Sequence, residues 1–600
     1  MTTLPAARRR SPLGAAIGLS LEADRRATLI TFVTFGLRPT VLVLVFYLVK
    51  VIVDAAAAHD TGALAAGVAG IALASALAVG SVTYSIEQSV RMIEGTAAVV
   101  DRRLMTLIGR LPGVAHLDDP GVRDQIEVLR QERVHLSEGG DAFSLVLGAT
   151  VRAAVTGVIL AMIQPVLLLL PLLAVPPLLA TRRAQRHRDE AVGRAAGAAR
   201  LARHLLAVGA SPAAAKELRL FGLGPHLRAR HAEAAGAADR EVTRTVWRNL
   251  IATSAASALF ALGYCAALMF VLYRFTRGQV SLGDVILTLG LVTSVSTQLN
   301  QGVQFFGFLQ QALAASRRLL RLEEYADRAA HGAGEGVPAE RLTDGIRLEA
   351  VEFRYPGSDS RALGDVDLVL PAGSVVAVVG ANGAGKSTLI KLLAGLYRPT
   401  SGRITVEGTD LASVDADLWH RRTSACFQDF SRLEFSVRHS VGAGSPALAE
   451  DDAHVTRAVE QGGAAGLVAG LPGGLAAHLG RSYDDGVDLS GGEWQRIALA
   501  RARMRPAPCL LVLDEPTAAI DPLAEDALLT AYVRAARQTV ARSNGITLFA
   551  SHRLSTARLA DLIVVVDQGR IAQLGVHEDL MAQDDGIYRD LYERQSRAYA

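Results

Sequence analysis

The run Val375-Val376-Ala377-Val378-Val379-Gly380-Ala381-Asn382-Gly383-Ala384-Gly385-Lys386-Ser387-Thr388 decides how the second half of the chain folds. Its first five residues read as a strand buried on both faces, the glycine-rich stretch as a tight loop, and the apolar residues after Thr388 as a helix. Strand, loop and helix in that order are what a phosphate-binding loop requires. Glycines let backbone N–H groups close on a phosphate with no Cβ in the way, and the helix N-terminus adds partial positive charge. Gly380, Asn382, Gly383, Ala384, Gly385 and Thr388 would build the cradle, Lys386 would neutralise the terminal phosphates, and Ser387 would ligate Mg²⁺. An eight-residue motif can arise by chance, so its surroundings matter.

Downstream, Cys509-Leu510-Leu511-Val512-Leu513-Asp514 reads as a buried strand closing on a carboxylate, with Glu515 directly after it. Two adjacent acids at the end of an apolar strand are costly to bury without a cation, which argues against a purely structural role. Asp514 is placed to hold Mg²⁺ and Glu515 to act as a base beside a terminal phosphate. A further strand, 547–551, ends at His552, within reach of the same phosphate; a lone His at a strand end carries little alone. Between these lies Leu489-Ser490-Gly491-Gly492-Glu493-Trp494-Gln495. Ser490 and Glu493 have capping-box spacing before a helix, and that structural reading stands beside a functional one. A Ser cap followed by two glycines leaves N–H groups free at a positive helix end, a second phosphate site. One domain rarely needs two such sites for one nucleotide, whereas two domains facing each other do.

The first half is of another kind. A helix needs about 20 apolar residues to cross a bilayer, and the stretches 28–55, 62–86, 143–163, 165–181, 249–273 and 281–308 qualify. The third and fourth form one apolar stretch broken by Gln164-Pro165, where the chain is expected to turn back. Residues 87–140 and 182–248 are rich in arginine, while the short loops near 56–61 and 164 contain no Lys or Arg. By the positive-inside rule both long loops, the N-terminus and everything after 310 are cytoplasmic, although Arg274 and Arg277 fall on the outer side. Within the long loops, 116–120 and 216–223 read as short cross-pieces at the far ends of extended helices. The sixth span carries Thr297, Gln301 and Gln304 at helical spacing, with Asn300 beside them and Gln311 further on. Polar side chains are unfavourable against lipid, so Gln301 and Gln304 are expected to line a watery cargo route, with plain interhelical hydrogen bonding as the alternative.

Composition agrees with this division. The 600 residues exceed one compact core, half are hydrophobic, and the net charge of +3 gives no footprint for nucleic acid. Cys265, Cys426 and Cys509 are too scattered for a disulfide or metal framework. Cys265 is expected simply to pack. Arg8, Arg9 and Arg10 are followed by no proper apolar region with a cleavage site, so a removed signal peptide is not expected. The chain divides into a cytoplasmic segment 1–27, a membrane domain 28–325, a linker 326–344 and an α/β domain 345–600. The fold class is therefore multidomain, an all-α six-helix transmembrane domain followed by an α/β nucleotide-binding domain.

Taken together, the phosphate loop, the 489–495 segment, Asp514-Glu515, Ala519-Ile520-Asp521 and Ser551-His552 resemble the full motif set of ATP-binding cassette (ABC) transporters. Six spans ahead of the cassette resemble the exporter-type half-transporters, so the resemblance covers nearly the whole chain. It implies that Tyr355 stacks on adenine and that Gln428 links Mg²⁺ and water to the membrane domain. It also implies that Ser490, Gly491 and Gly492 close on ATP held by a partner chain, and that Asp521 lies at the dimer interface. Two departures from the commoner pattern are Ile520 and the segment 480–486. The resemblance implies ATP and Mg²⁺ as cofactors, and Glu515, His552 and Gln428 at the reacting end. It further implies a second half-transporter as partner, in a homodimer or heterodimer, and a multi-pass place in the cell membrane with the cassette in the cytoplasm. Export by alternating access is the expected function; import through the same fold, an ATP-gated channel and a membrane regulator are the alternatives.

Overall fold

The computed structural model describes residues 11–169, 173, 175–212, 214–331, 334–515, 534–538, 540–551 and 554–599. Asp521 and His552, both singled out above, lie outside them. Two compact units emerge, residues 1–104 with 129–321 and residues 105–128 with 322–600. The second unit thus takes in part of the first long loop.

The first unit is helical. Ser11 caps α1 (Pro12–Ala23), and Asp24 caps α2 (Arg25–Ala57) by accepting the Ala27 N–H at 3.0 Å. Then comes α3 (Thr61–Arg110), which leads into the second unit's α4 (Ala115–Asp118) and most of α5 (Pro120–Gln131), and the first unit resumes with α6 (Arg133–Ser137) and α7 (Gly139–Ile163). Helix α7 stops where Pro165 pushes Gln164 into an extended conformation, with φ −155° and ψ 122°. After a 3₁₀ turn (Pro165–Leu169) come α8 (Val175–Ala210), α9 (Ala215–Leu220), α10 (Gly224–Thr276) and α11 (Leu282–His331). Pro176 and Pro177 sit in the first turn of α8, where their missing N–H groups cost nothing.

Of the long helices, α2, α3, α7 and α10 are long and apolar enough over 18 residues to cross a membrane. In α11 the apolar run Leu282–Val292 leads into the turns that carry Thr297, Asn300, Gln301 and Gln304. The apolar core of this unit gathers Val43, Leu160, Phe260, Leu287 and Leu291, one or two from each of several helices. Cys265, expected to pack, is exposed on α10 instead. An apolar side chain can stand there when the surrounding medium is lipid, which is as apolar as the side chain itself.

The second unit holds two sheets. One is antiparallel, ordered β2 (Leu363–Pro371), β1 (Gly345–Phe353), β4 (Ser401–Val406), β5 (Thr409–Asp410). The other runs β10 (Arg570–Gly575), β9 (Leu562–Asp567), β3 (Val375–Val379), β8 (Ile546–Ala550), β7 (Leu510–Asp514), β6 (Thr423–Cys426). Its strands are parallel except for the β9–β10 hairpin. Strands β3, β7 and β8 are buried throughout, which is why they read as unbroken apolar runs. Burial pushes the Cys426 thiol up to about 12, so it behaves as a small apolar group.

The first cross-piece is visible within this unit. Helix α4 is docked by the Val114 N–H donating to the Leu396 carbonyl at 2.9 Å and by the Tyr397 hydroxyl donating to Asp118. Gly113 makes the approach possible. It has φ +65°, and a Cβ there would stand 2.3 Å from the Leu396 oxygen.

Candidate nucleotide site

The site forms where the parallel strands end, at the carboxyl edge of an open α/β sheet. Beyond β3 the chain turns through Gly380, at φ +149°, and Gly385, at φ +111°, into α12 (Lys386–Leu393). At Gly380 a Cβ would lie 2.1 Å from the Val566 carbonyl, so only glycine lets the loop leave β3 beside β9. No side chain caps the N-terminus of α12, and the first N–H groups of a helix have no partner within it. An anion suits that end.

Lys386 is buried and donates to the carbonyls of Gly380 and Ala381, both at 2.9 Å. Burial holds its pKa below the usual lysine range, while Glu515 and Asp514 pull it back. Asp514 ends β7. Burial and then the neighbouring Glu515 raise its pKa, against a hydrogen bond from Ser387 and the charge of Lys386. Such a carboxylate wants a cation, and Ser387 stands beside it. Among the described residues no three His, Cys, Asp or Glu side chains form a metal cage. A bound cation would therefore depend on Asp514, Ser387, Gln428 and oxygens from outside the protein, the habit of Mg²⁺ rather than of Zn²⁺.

Glu515 has φ +49°, in the left-handed region that a residue of its kind rarely enters. Its backbone is held twice: its N–H donates to the Ala550 carbonyl at 3.0 Å, and its carbonyl accepts from Gln495 Nε2 at 3.1 Å. Its carboxylate accepts from Gln428 Nε2 at 2.7 Å. Gln428 and Glu515, read separately from the sequence, thus meet. Gln495 is the residue that sequence reasoning passed over; its place one turn into a capped, apolar helix was the available signal.

Tyr355 packs edge-on to Phe353 and Tyr397, and its hydroxyl lies 3.0 Å from Thr388 Oγ1. Lys391 Nζ stands 5.8 Å from its ring centre. Asn382 and Gly383 are exposed at the crest of the loop, and Ala384 is buried beneath it. Ser490 caps α13 (Gly491–Ala502) in a complete capping box: Glu493 accepts the Ser490 N–H at 2.7 Å, and Ser490 Oγ accepts the Glu493 N–H. Those bonds hold the Glu493 carboxyl below its usual range. Ser490 and Gly491 are exposed, Gly492 half-buried, so the capped end faces outward. The structural and functional readings of this segment are compatible.

The chain is similar to several known proteins. The ABC transporter family model matches residues 363–518. An ATP-dependent lipid A-core flippase from Chromohalobacter salexigens is 31% identical over 378 residues, 63% of this chain and 62% of that protein. One from Xanthomonas campestris is 34% identical over 348 residues, 58% of this chain and 56% of the relative. The chain thus spans less than two thirds of the length of these relatives. A bacterial Atm1-family ABC exporter solved with ATP bound covers 96% of this chain and 99% of its own at a TM-score of 0.72 and 23% identity, a likeness of fold. With four apolar helices of membrane length, this is a multi-pass membrane protein. Residues 363–518 thus match the ABC transporter family model, and the chain as a whole shares the fold of the Atm1-family exporter, a helical unit of membrane-length helices followed by an α/β unit.

Proposed function

We propose that this chain is one half of an ATP-driven exporter, working as a dimer in the cell membrane with its cassette in the cytoplasm. The observation that carries the reading is the convergence of Lys386, Ser387, Asp514, Gln428 and Glu515 in one chain with membrane-length helices. Glu515 takes a proton from the attacking water or aims it, with its carboxylate steered by Gln428 and its backbone fixed by Gln495. Lys386 exchanges two loop carbonyls for phosphate oxygens. Ser387, Asp514 and Gln428 hold Mg²⁺, which supplies neutralising charge at the phosphates. Tyr355 receives the adenine. His552 and Asp521 take the γ-phosphate and dimer-interface roles on their sequence positions alone.

The outward-facing end at Ser490, Gly491 and Gly492 serves the nucleotide of a second chain. Exposed Leu220 and Phe221, at the tip between α8 and α10, also suit a partner, since a bare apolar tip is unfavourable in water. The name of the relatives makes a lipid one cargo class to test, beside peptides and small metabolites.

Differently tagged chains test the shared site. With Lys386→Ala in one chain and Ser490→Arg in the other, one composite site stays intact and ATPase activity survives in part. With both changes in the same chain and a wild-type partner, neither site is whole and activity disappears. Equal activity of the two arrangements would refute the composite site.

A further inference from the structure

A cavity of about 620 Å³ opens among α2, α3, α7 and α11, walled by apolar side chains such as Val41, Val79 and Phe305. Two arginines enter it, Arg38 from α2 and Arg152 from α7. On the spans expected from the sequence, which start at 28 and 143, a rise of 1.5 Å per residue would set them about 15 and about 14 Å deep, near the middle of a ~30 Å hydrocarbon layer. Neither forms an ion pair with an acid among the described residues. Arg152 Nη2 donates to Gln301, a neutral partner, and Arg152 Nε is buried with no acceptor. Arg38 lies against the Phe35 ring at 5.9 Å. A guanidinium at this depth is unfavourable unless water, a carbonyl dipole or an anion meets it, and ionisable groups kept there mark a ligand path. The volume is that of a small-molecule site, largely apolar with a few convergent polar groups.

We infer that Arg152, oriented by Gln301 and assisted by Arg38, is the anion-binding element of the cargo site, and that the cargo is an anionic amphiphile with a phosphate-like head and an apolar tail. The inference rests on the transport reading above and deepens it. Gln301, expected from the sequence to line the cargo route, becomes the residue that aims the guanidinium. Gln298 has the packing role instead, donating to Thr156 and Ser294 at 3.1 and 2.8 Å. The planar fork of arginine matches the oxygens of a phosphate in a way a lysine point charge does not.

The test is direct binding of radiolabelled dodecyl phosphate to the full-length, nucleotide-free protein in phosphatidylcholine nanodiscs. Competition uses unlabelled dodecyl phosphate, dodecylphosphocholine, dodecyltrimethylammonium and inorganic phosphate. Dodecyl phosphate is expected to compete at least tenfold better than the other three. Arg152→Gln should weaken binding tenfold or more, Arg152→Lys less, and Arg38→Gln severalfold. ATP-analogue binding in the same samples shows that each variant is folded. Equal competition by all three amphiphiles, or by inorganic phosphate alone, would overturn the proposal, as would wild-type binding by a folded Arg152→Gln. Because binding is read without hydrolysis, a chain that turned over no ATP would refute the transport reading and still report on this site.

Discussion

Ser490 shows how one residue can serve structure and chemistry, and how to separate them. Its side chain caps α13, and loss of a cap costs about 1 kcal/mol. Aspartate caps a helix as well as serine does, so Ser490→Asp should leave the melting temperature within a degree or two. It would, however, set a negative charge where a phosphate is to bind, and ATPase activity should fall at least tenfold. Full activity in Ser490→Asp would reduce the segment to a cap. Asp514 makes the complementary case. Its folded pKa is raised, so between the unfolded and folded values the native state holds the extra proton. Stability of the nucleotide-free cassette should therefore fall as pH rises through that window. Asp514→Asn should flatten this dependence, measurable by thermal melts from pH 4 to 7. It should also abolish the extra stabilisation from ATP with Mg²⁺, which for wild type is about 2.7 kcal/mol at a hundredfold excess over Kd. A variant that keeps that stabilisation would remove Asp514 from the cation site.

At the scale of elements, patterns confined to one segment were legible and meetings between segments were not. Buried strands β3 and β7, the loop before α12 and the cap at Ser490 all arise from residues close in sequence, so their reading needed no tertiary knowledge. The Gln495 contact with the Glu515 carbonyl joins two elements, and α13 alone shows only that Gln495 lies one turn into a capped helix, not what it meets. Helix α4 is a second case: its docking depends on Gly113 and on Tyr397, nearly three hundred residues apart. Gly113→Ala would put a Cβ against the Leu396 oxygen in a left-handed backbone, at a cost of about 1–3 kcal/mol. Faster amide exchange confined to residues 111–120 and the 394–398 segment is expected. Unchanged protection there would mean that α4 is held by something other than this backbone contact.

For the whole molecule, the proposed function has chemistry in the α/β cassette converted into movement of the helical membrane unit. On that proposal hydrolysis depends on Glu515, a residue held in left-handed backbone by two hydrogen bonds and contacted by Gln428. Glu515→Gln keeps the shape of the side chain and removes its basicity. Loss of a positioned base typically lowers a rate by about 10²–10⁴-fold, while Lys386 and the glycine loop are untouched. The decisive measurement is therefore steady-state ATP hydrolysis and ATP binding by purified Glu515→Gln beside wild type in nanodiscs. Binding within about twofold of wild type with turnover reduced at least a hundredfold is the predicted result; turnover near wild type would contradict it.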